Sequence, residues 1–150
     1  MIAEDDDQLC AYMVEVLTEV GYQVVPACNG KEAVSALRRR HVDLLVTDLI
    51  MPDQEGLEVI LYVRKHFPNL KVIAMSGGLD AYLRAARCLG AHVMLHKPFS
   101  AGDLVRTVVC LCGPGLQPGK GTPGTERDPS SPELSAAALA NINETEPECD

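Results

Sequence analysis

The stretch that decides the fold runs over residues 42–56, VDLLVTDLIMPDQEG. Its first part, Val42–Thr47, is almost entirely apolar and rich in β-formers, which is typical of a strand buried on both faces of a parallel sheet. An acidic residue, Asp48, follows the strand directly. The segment Met51-Pro52-Asp53-Gln54 then predicts a loop. A buried strand that ends in an exposed loop with a carboxylate at the junction is a candidate site.

The same alternation of a short strand and an amphipathic helix recurs along the chain. Further strands are predicted over Met1–Ala3, Tyr22–Ala27, Lys71–Met75 and His92–Leu95. Helices are predicted from Leu9 to Val20, from Asn29-Gly30 to Leu37, from Leu57 to before Pro68, over Leu79–Leu89, and from Ser100 to Leu111. Five strands alternating with five helices predict an α/β fold whose parallel sheet is covered on both faces. Because the crossovers are right-handed, the doubly wound orders are the leading expectation, and of these we take the five-stranded order 2-1-3-4-5.

The composition changes near residue 113. Residues 113–150 contain five glycines and six prolines, with seven acidic and two basic side chains, in a chain of 150 residues and net charge -8. Such a segment buries too little apolar surface to offset the entropy of ordering it. We therefore predict one folded domain over residues 1–112 and a disordered, acidic, Gly/Pro-rich tail over 113–150.

The overall charge and hydropathy exclude several classes of function. A net charge of -8 argues against a nucleic-acid-binding surface, which needs a basic face. The sequence contains neither an apolar run of about 18 residues, which would predict a membrane span, nor a basic start followed by an apolar stretch, which would predict a secretion signal. We therefore expect a cytoplasmic protein that binds neither membranes nor nucleic acids directly.

Acidic side chains stand at the ends of two strands that the predicted order makes neighbours. Glu4 and Asp5 follow the first strand, and Asp48 follows the third. Ligands of open α/β sheets bind outside the carboxyl ends of the strands, where the strand order reverses. Three carboxylates in one crevice repel each other, and Mg²⁺, which takes oxygen ligands, relieves the repulsion. The alternative is helix capping, but Asp6 or Asp7 alone can supply that cap.

Two further strand ends supply complementary groups. Ser76 follows the fourth strand and Lys97 follows the fifth. Each is unremarkable alone, because serine before two glycines suits a turn and lysine before proline is usually solvated. Together they place a hydroxyl and a positive charge beside the same crevice. The combination predicts a site that holds an anion between a cation and a lysine.

These residues resemble the receiver domain of bacterial response regulators, of the chemotaxis-regulator type, over residues 1–112. The resemblance rests on Glu4-Asp5, on Asp48 within LLVTDLIMPDQEG, on Ser76 after VIAM, and on Lys97-Pro98-Phe99. It implies the flavodoxin-like receiver fold of two-component phosphorelay proteins. It also implies that Asp48 is the phosphoacceptor and becomes an aspartyl phosphate.

The resemblance implies roles for the remaining residues. Mg²⁺ would be held by the carboxylates of Glu4, Asp5 and Asp48 and by the backbone carbonyl of Ile50. Lys97 would pair with a phosphoryl oxygen, and Ser76 would move to donate to the phosphoryl group. The Lys97-Pro98 bond would be cis.

The resemblance also implies partners. The donor would be the phosphohistidine of a sensor histidine kinase or a phosphotransfer protein. The output would pass to a downstream protein through the face built from helix 4, strand 5 and helix 5. Beyond self-phosphorylation and autodephosphorylation, no enzymatic activity is expected.

Three departures from the family pattern affect these expectations. The first strand is short, which predicts a frayed strand or a truncated start. Met94 stands where the family often has the Tyr or Phe that accompanies the switch, so the output switch is expected to be altered or weak. Ile50 and Gly78 stand where some relatives carry polar groups that guide the attacking water, which predicts slow autodephosphorylation.

Two other interpretations remain open. The first is a degenerate or truncated receiver that no longer switches and acts as a protein-binding module. The second is a doubly wound enzyme, such as a haloacid-dehalogenase-like phosphatase or a flavodoxin-like cofactor binder. The phosphatase needs a second acid two residues after the nucleophile, where Ile50 stands. The cofactor binder needs a phosphate loop after the first strand, where acids stand.

Overall fold

The computed structural model describes residues 1–51, 56–78 and 80–115. All of them belong to the first of the two units of the chain, Met1–Pro118. The predicted tail from residue 116 onward and most of the loop after Met51 lie outside the described residues, so both stay predictions. Within the described part of the chain, no helix has the length and apolar character that crossing a bilayer requires.

The described residues form a five-stranded parallel sheet with helices between successive strands. The strands are β1 (Ile2–Ala3), β2 (Pro26–Ala27), β3 (Leu44–Asp48), β4 (Lys71–Ser76) and β5 (Val93–His96). The helices are α1 (Asp7–Glu19), α2 (Gly30–Leu37), α3 (Gly56–His66), α4 (Asp80–Cys88) and α5 (Ala101–Cys112). The strand order is β2-β1-β3-β4-β5, which confirms the predicted order 2-1-3-4-5.

The side chains of β3 and of Leu49, which directly follows it, alternate between two apolar clusters, one on each face of the sheet. Leu45 and Leu49 belong to the cluster that α2, α3 and α4 cover. Leu44 and Val46 belong to the cluster that α1 and α5 cover. Because β3 is buried on both faces, its sequence is a nearly continuous apolar run. This central strand therefore fixes the position of Asp48 at its end.

The two-residue strand β1 is short but not frayed. Ile2 and Ala3 are almost fully buried and pair with β2 on one side and β3 on the other. The neighbouring β2 is shorter than the predicted Tyr22–Ala27, because its partner offers only two residues and Pro26 lacks an N–H. The pairing nevertheless carries the chain directly from Ala3 into the acidic segment.

Among the described residues, side chains cap the starts of α1, α2 and α5. Asp6 accepts from the backbone N–H groups of Gln8 and Leu9 at the start of α1. Ser100 forms a reciprocal capping box with Asp103 at the start of α5, as the sequence predicts. Because Asp6 provides the cap of α1, Glu4 and Asp5 are left to serve another purpose.

His92, directly before β5, forms two hydrogen bonds with Val72 on β4. Its ring Nδ1 accepts a hydrogen bond from the backbone N–H of Val72 at 3.0 Å, and its backbone N–H donates to the Val72 carbonyl at 2.8 Å. Partial burial, together with the positive charges of Arg64 and Lys71, lowers the pKa of His92 from its ordinary value of 6.5. The neutral ring is needed here, since protonated Nδ1 cannot accept.

We expect the free energy of unfolding to fall in mild acid because of His92. The unfolded chain keeps the ordinary pKa near 6.5 and so binds the proton more tightly than the folded chain. The stabilisation is therefore complete above about pH 6.5 and is lost as the pH falls through the lower, folded value. Denaturant unfolding at about pH 7.5 and about pH 5.5 measures this. His92→Gln, which can still accept but does not titrate, should show a smaller difference between the two pH values; an unchanged difference would contradict the assignment.

Candidate functional site

The carboxyl ends of β1 and β3 bring three acidic side chains together. The register pairs Ala3 with Thr47, so the residues that follow, Glu4 and Asp48, leave neighbouring strands side by side. Each of Glu4, Asp5 and Asp48 offers a carboxylate oxygen, and these oxygens lie within 4.8 Å of one another. Glu4 and Asp48 are buried, whereas Asp5 is exposed. The structure thus brings the predicted carboxylates to one crevice with one side open to solvent.

Lys97 joins the two buried carboxylates. Its Nζ donates to Glu4 Oε2 at 2.7 Å and to Asp48 Oδ2 at 2.6 Å. Burial by itself would lower the pKa of Lys97, but the hydrogen bonds and charges of Asp48 and Glu4 outweigh burial and raise it. The lysine is therefore a permanent positive charge within the crevice, next to the Asp48 carboxylate.

The donor set of the crevice fits a hard divalent cation. Burial raises the pKa of Glu4, Asp48 adds to this, and Lys97 opposes it. Three carboxylates face one lysine, so an excess of negative charge stays at the mouth of the site even with Lys97 in place. Oxygen ligands with one solvent-open side suit Mg²⁺, which keeps several waters.

Ser76 and Lys97 are tied to the same corner of the sheet. The Lys97 N–H donates to the Ser76 carbonyl at 2.9 Å, beyond the last β4–β5 pair. The buried Ser76 hydroxyl accepts from the Gly78 N–H at 3.1 Å. Because a hydroxyl both accepts and donates, this bond leaves the Ser76 proton for a ligand. The Lys97-Pro98 peptide is cis, as predicted.

Ile50, two residues after Asp48, contacts the Asp48 side chain through its backbone. The Ile50 N–H donates to Asp48 Oδ1 at 3.1 Å, which orients one carboxylate oxygen. The other oxygen, Oδ2, faces Lys97. Ile50 therefore borders the site, and the role predicted for its carbonyl stays a prediction. The Ile50 side chain is 51% exposed, and its Cδ1 lies near the backbone of Gly78.

Sequence reasoning missed the role of Thr47 and did not explain why a glycine stands at position 56. Thr47 is fully buried, and its hydroxyl donates to the main-chain carbonyl of Asp48. Gly56 closes the motif because a Cβ there would stand 1.9 Å from the same carbonyl. A threonine in an otherwise apolar strand, directly before the acid, was the available signal.

Met94 lies on β5 and is half-buried against the apolar cluster that α2, α3 and α4 cover.

Removing the lysine should destabilise the fold measurably. In Lys97→Met, Glu4 and Asp48 remain buried without their cation, and we expect a loss of about 2 kcal/mol of unfolding free energy. Millimolar Mg²⁺ should recover part of this loss, because it supplies the missing positive charge. Lys65→Met, an exposed change on α3, is the matched control and should stay within about 0.5 kcal/mol of wild type. Denaturant titration with and without Mg²⁺ measures both, and equal stability of the two variants would contradict the role of Lys97.

Comparison with known proteins agrees with this geometry. The chain matches the response regulator receiver domain family over residues 1–109. It is 30% identical over 109 residues to the response regulator receiver protein CpdR of Brucella abortus, covering 72% of this chain and 91% of that protein. It is 32% identical over 110 residues to the DNA-binding transcriptional regulator NtrC of Azospirillum brasilense, covering 72% of this chain but only 23% of NtrC.

A solved structure gives the same result. The receiver domain of a Francisella response regulator superposes with a TM-score of 0.67 at 28% identity, covering 73% of this chain and 92% of that one. The family match over residues 1–109 spans every strand of the described sheet and the three acids of the crevice. On this family match, the chain belongs to the response regulator receiver domains of two-component systems.

Proposed function

We propose that Asp48 of this receiver domain accepts a phosphoryl group and that Mg²⁺ assists the transfer. The observation that carries the proposal is the arrangement around the Asp48 carboxylate. It lies against the ammonium group of Lys97 at 2.6 Å and shares a crevice with two further carboxylates. A capping or purely structural role explains neither the convergence of three acids nor the half-buried lysine between two of them.

Glu4, Asp5 and Asp48 would hold the cation, with the Ile50 carbonyl as a further ligand. When bound, Mg²⁺ offsets the charge of the incoming phosphoryl group and orients it. The side chain of Asp48 already has one oxygen fixed by the Ile50 N–H, so its nucleophilic oxygen is oriented before a donor arrives. This preorganisation favours in-line transfer.

In the transfer, an Asp48 carboxylate oxygen attacks the phosphorus and forms a new O–P bond. The bond from phosphorus to the donor breaks, and the leaving imidazole of a phosphohistidine takes up a proton. Lys97 then pairs with a phosphoryl oxygen, and Ser76 donates its free hydroxyl proton to another. Positioning and charge supply most of the rate in such reactions.

Intact-mass measurement with acetyl phosphate tests this proposal. The wild-type chain should gain one phosphoryl group, about 80 Da, in Mg²⁺ and should gain nothing when EDTA replaces Mg²⁺. An equal mass gain in EDTA would overturn the role of the cation.

The absence of any mass gain in folded protein would favour the rival proposal, a degenerate receiver that works only by binding another protein. The position of Met94, where the usual aromatic switch residue is missing, is the observation that favours this rival.

The phosphorylated form should hydrolyse slowly. Ile50 extends over the Ser76–Gly78 loop with an apolar side chain, and Gly78 has none, so neither can orient an attacking water. We expect Ile50→Gln, which adds a polar amide at this rim, to shorten the acyl-phosphate lifetime severalfold. Loss of the 80 Da adduct after removal of acetyl phosphate gives the lifetime. A wild-type lifetime of seconds would refute the idea.

The proposed partners are those that membership of the family implies. We propose a sensor histidine kinase or phosphotransfer protein as donor and a downstream protein that contacts the α4-β5-α5 face. We propose that the chain is a signalling domain of the cytoplasm that binds no nucleic acid directly, and that its only turnover is its own phosphorylation and dephosphorylation.

A further inference from the structure

Thr47 is a buried polar residue on an apolar face. It has no exposed surface, and it lies on β3 between Leu45 and Leu49, which both belong to the cluster under α2, α3 and α4. A hydroxyl at such a position costs stability unless it forms a hydrogen bond. A valine of the same shape would suit this face better, so the hydroxyl requires an explanation.

The explanation is a hydrogen bond from the hydroxyl to the peptide group that joins Asp48 to Leu49. Thr47 Oγ1 donates to the Asp48 carbonyl at 2.9 Å. The pairing of β1 with β3 ends at Ala3 and Thr47, so this carbonyl lies beyond the last paired residues of the two strands. On the other side, the N–H of the same peptide group, that of Leu49, donates to the Met75 carbonyl at 2.9 Å.

Both polar atoms of the Asp48–Leu49 peptide are therefore fixed, one by a side chain and one by β4. Gly56 packs against the same carbonyl, closely enough that a Cβ would stand 1.9 Å away. The backbone of Asp48 has little room to rotate while these contacts hold. Its carboxylate is thereby aimed at Lys97 and at the carboxylates of Glu4 and Asp5.

We propose that Thr47 is a positioning residue for phosphoryl transfer: its hydroxyl anchors the Asp48 carbonyl and so sets the direction of the Asp48 carboxylate. This inference rests on the proposed function of Asp48. Transfer rates depend steeply on the placement of the reacting atoms, and displacements of about 1 Å cost up to about a hundredfold. Thr47 touches no reacting atom and acts only through the backbone of its neighbour.

A pair of substitutions separates positioning from packing. Thr47→Val keeps the shape and removes the hydroxyl, whereas Thr47→Ser keeps the hydroxyl and removes a methyl group. We expect the phosphorylation rate at saturating acetyl phosphate and Mg²⁺ to fall about tenfold in Thr47→Val. In Thr47→Ser it should stay within about twofold of wild type, although the lost methyl lowers the melting temperature. Thr47→Cys, a weak donor of similar size, replaces the valine variant if that one does not fold.

The outcomes distinguish this inference from the proposal beneath it. Rates are compared at a temperature where every variant is fully folded. A slow valine variant with a near-normal serine variant supports the positioning role. Rates that follow melting temperature, or a valine variant as fast as wild type, overturn it and leave Asp48 as the acceptor. Absence of phosphorylation in wild type overturns the proposed function and this inference together.

Discussion

Replacing Asp48 with asparagine is expected to abolish phosphorylation completely. Asparagine keeps the shape of the side chain and can still accept from the Ile50 N–H, but its amide is not a nucleophile. Asparagine also removes one of the three carboxylates that would hold the cation, whereas those of Glu4 and Asp5 stay in the crevice. Measured at a Mg²⁺ concentration high enough to offset the lost ligand, a complete loss in Asp48→Asn reports on the nucleophile.

The matched control for this variant lies just before the same strand. Asp43 is exposed, and it precedes β3 at the end away from the crevice. Asp43→Asn changes the same functional group and the same net charge, and it should phosphorylate like wild type. Intact mass after equal incubation with acetyl phosphate and Mg²⁺ compares the two variants. Phosphorylation of Asp48→Asn at the wild-type rate would show that another residue is the acceptor.

Replacing Gly56 with alanine should cause a large loss of stability, because an added Cβ there would have the shortest contact among the described glycines whose surroundings are known. The new Cβ would stand 1.9 Å from the Asp48 carbonyl oxygen and 2.7 Å from the Leu49 Cα, both backbone atoms that cannot rotate away. We expect a loss of about 2 to 3 kcal/mol of unfolding free energy. Phosphorylation should slow as well, because the shifted backbone is that of the acceptor.

Gly102→Ala provides the comparison for this change. Gly102 lies in the first turn of α5, and a Cβ there would meet only the Ser100 hydroxyl, at an ordinary 3.7 Å. Alanine favours the helix, so this variant should gain about 0.5 to 1 kcal/mol. Denaturant unfolding of both variants measures the difference between them. Two variants of equal stability would contradict the close packing of Gly56 against Asp48.

The sequence allowed the fold and the main site residues to be predicted for one physical reason. Parallel strands that are buried on both faces are nearly continuous apolar runs, so the residue at the end of each run is easy to identify. Glu4, Asp48, Ser76 and Lys97 were found in this way. Once the strand order was assumed, their convergence followed from it.

Features that depend on the register of strand pairing and on the length of each strand could not be predicted in this way. The reduction of the second strand to Pro26–Ala27 follows from how little of β1 is available for pairing. The bridge that Lys97 makes between Glu4 and Asp48 depends on which atoms meet across three strands. The bond from Thr47 to its neighbour depends on where the pairing of β1 with β3 ends. Patterns of apolar residues carry none of this information.

The most direct test of the account is to locate the phosphoryl group itself. Borohydride reduces an aspartyl phosphate to homoserine, and peptide mass mapping then identifies the converted residue. The account predicts homoserine at position 48, only after treatment with acetyl phosphate and Mg²⁺. Conversion at Asp5 or at any other carboxylate, with Asp48 left intact, would contradict the central claim that Asp48 is the phosphoacceptor.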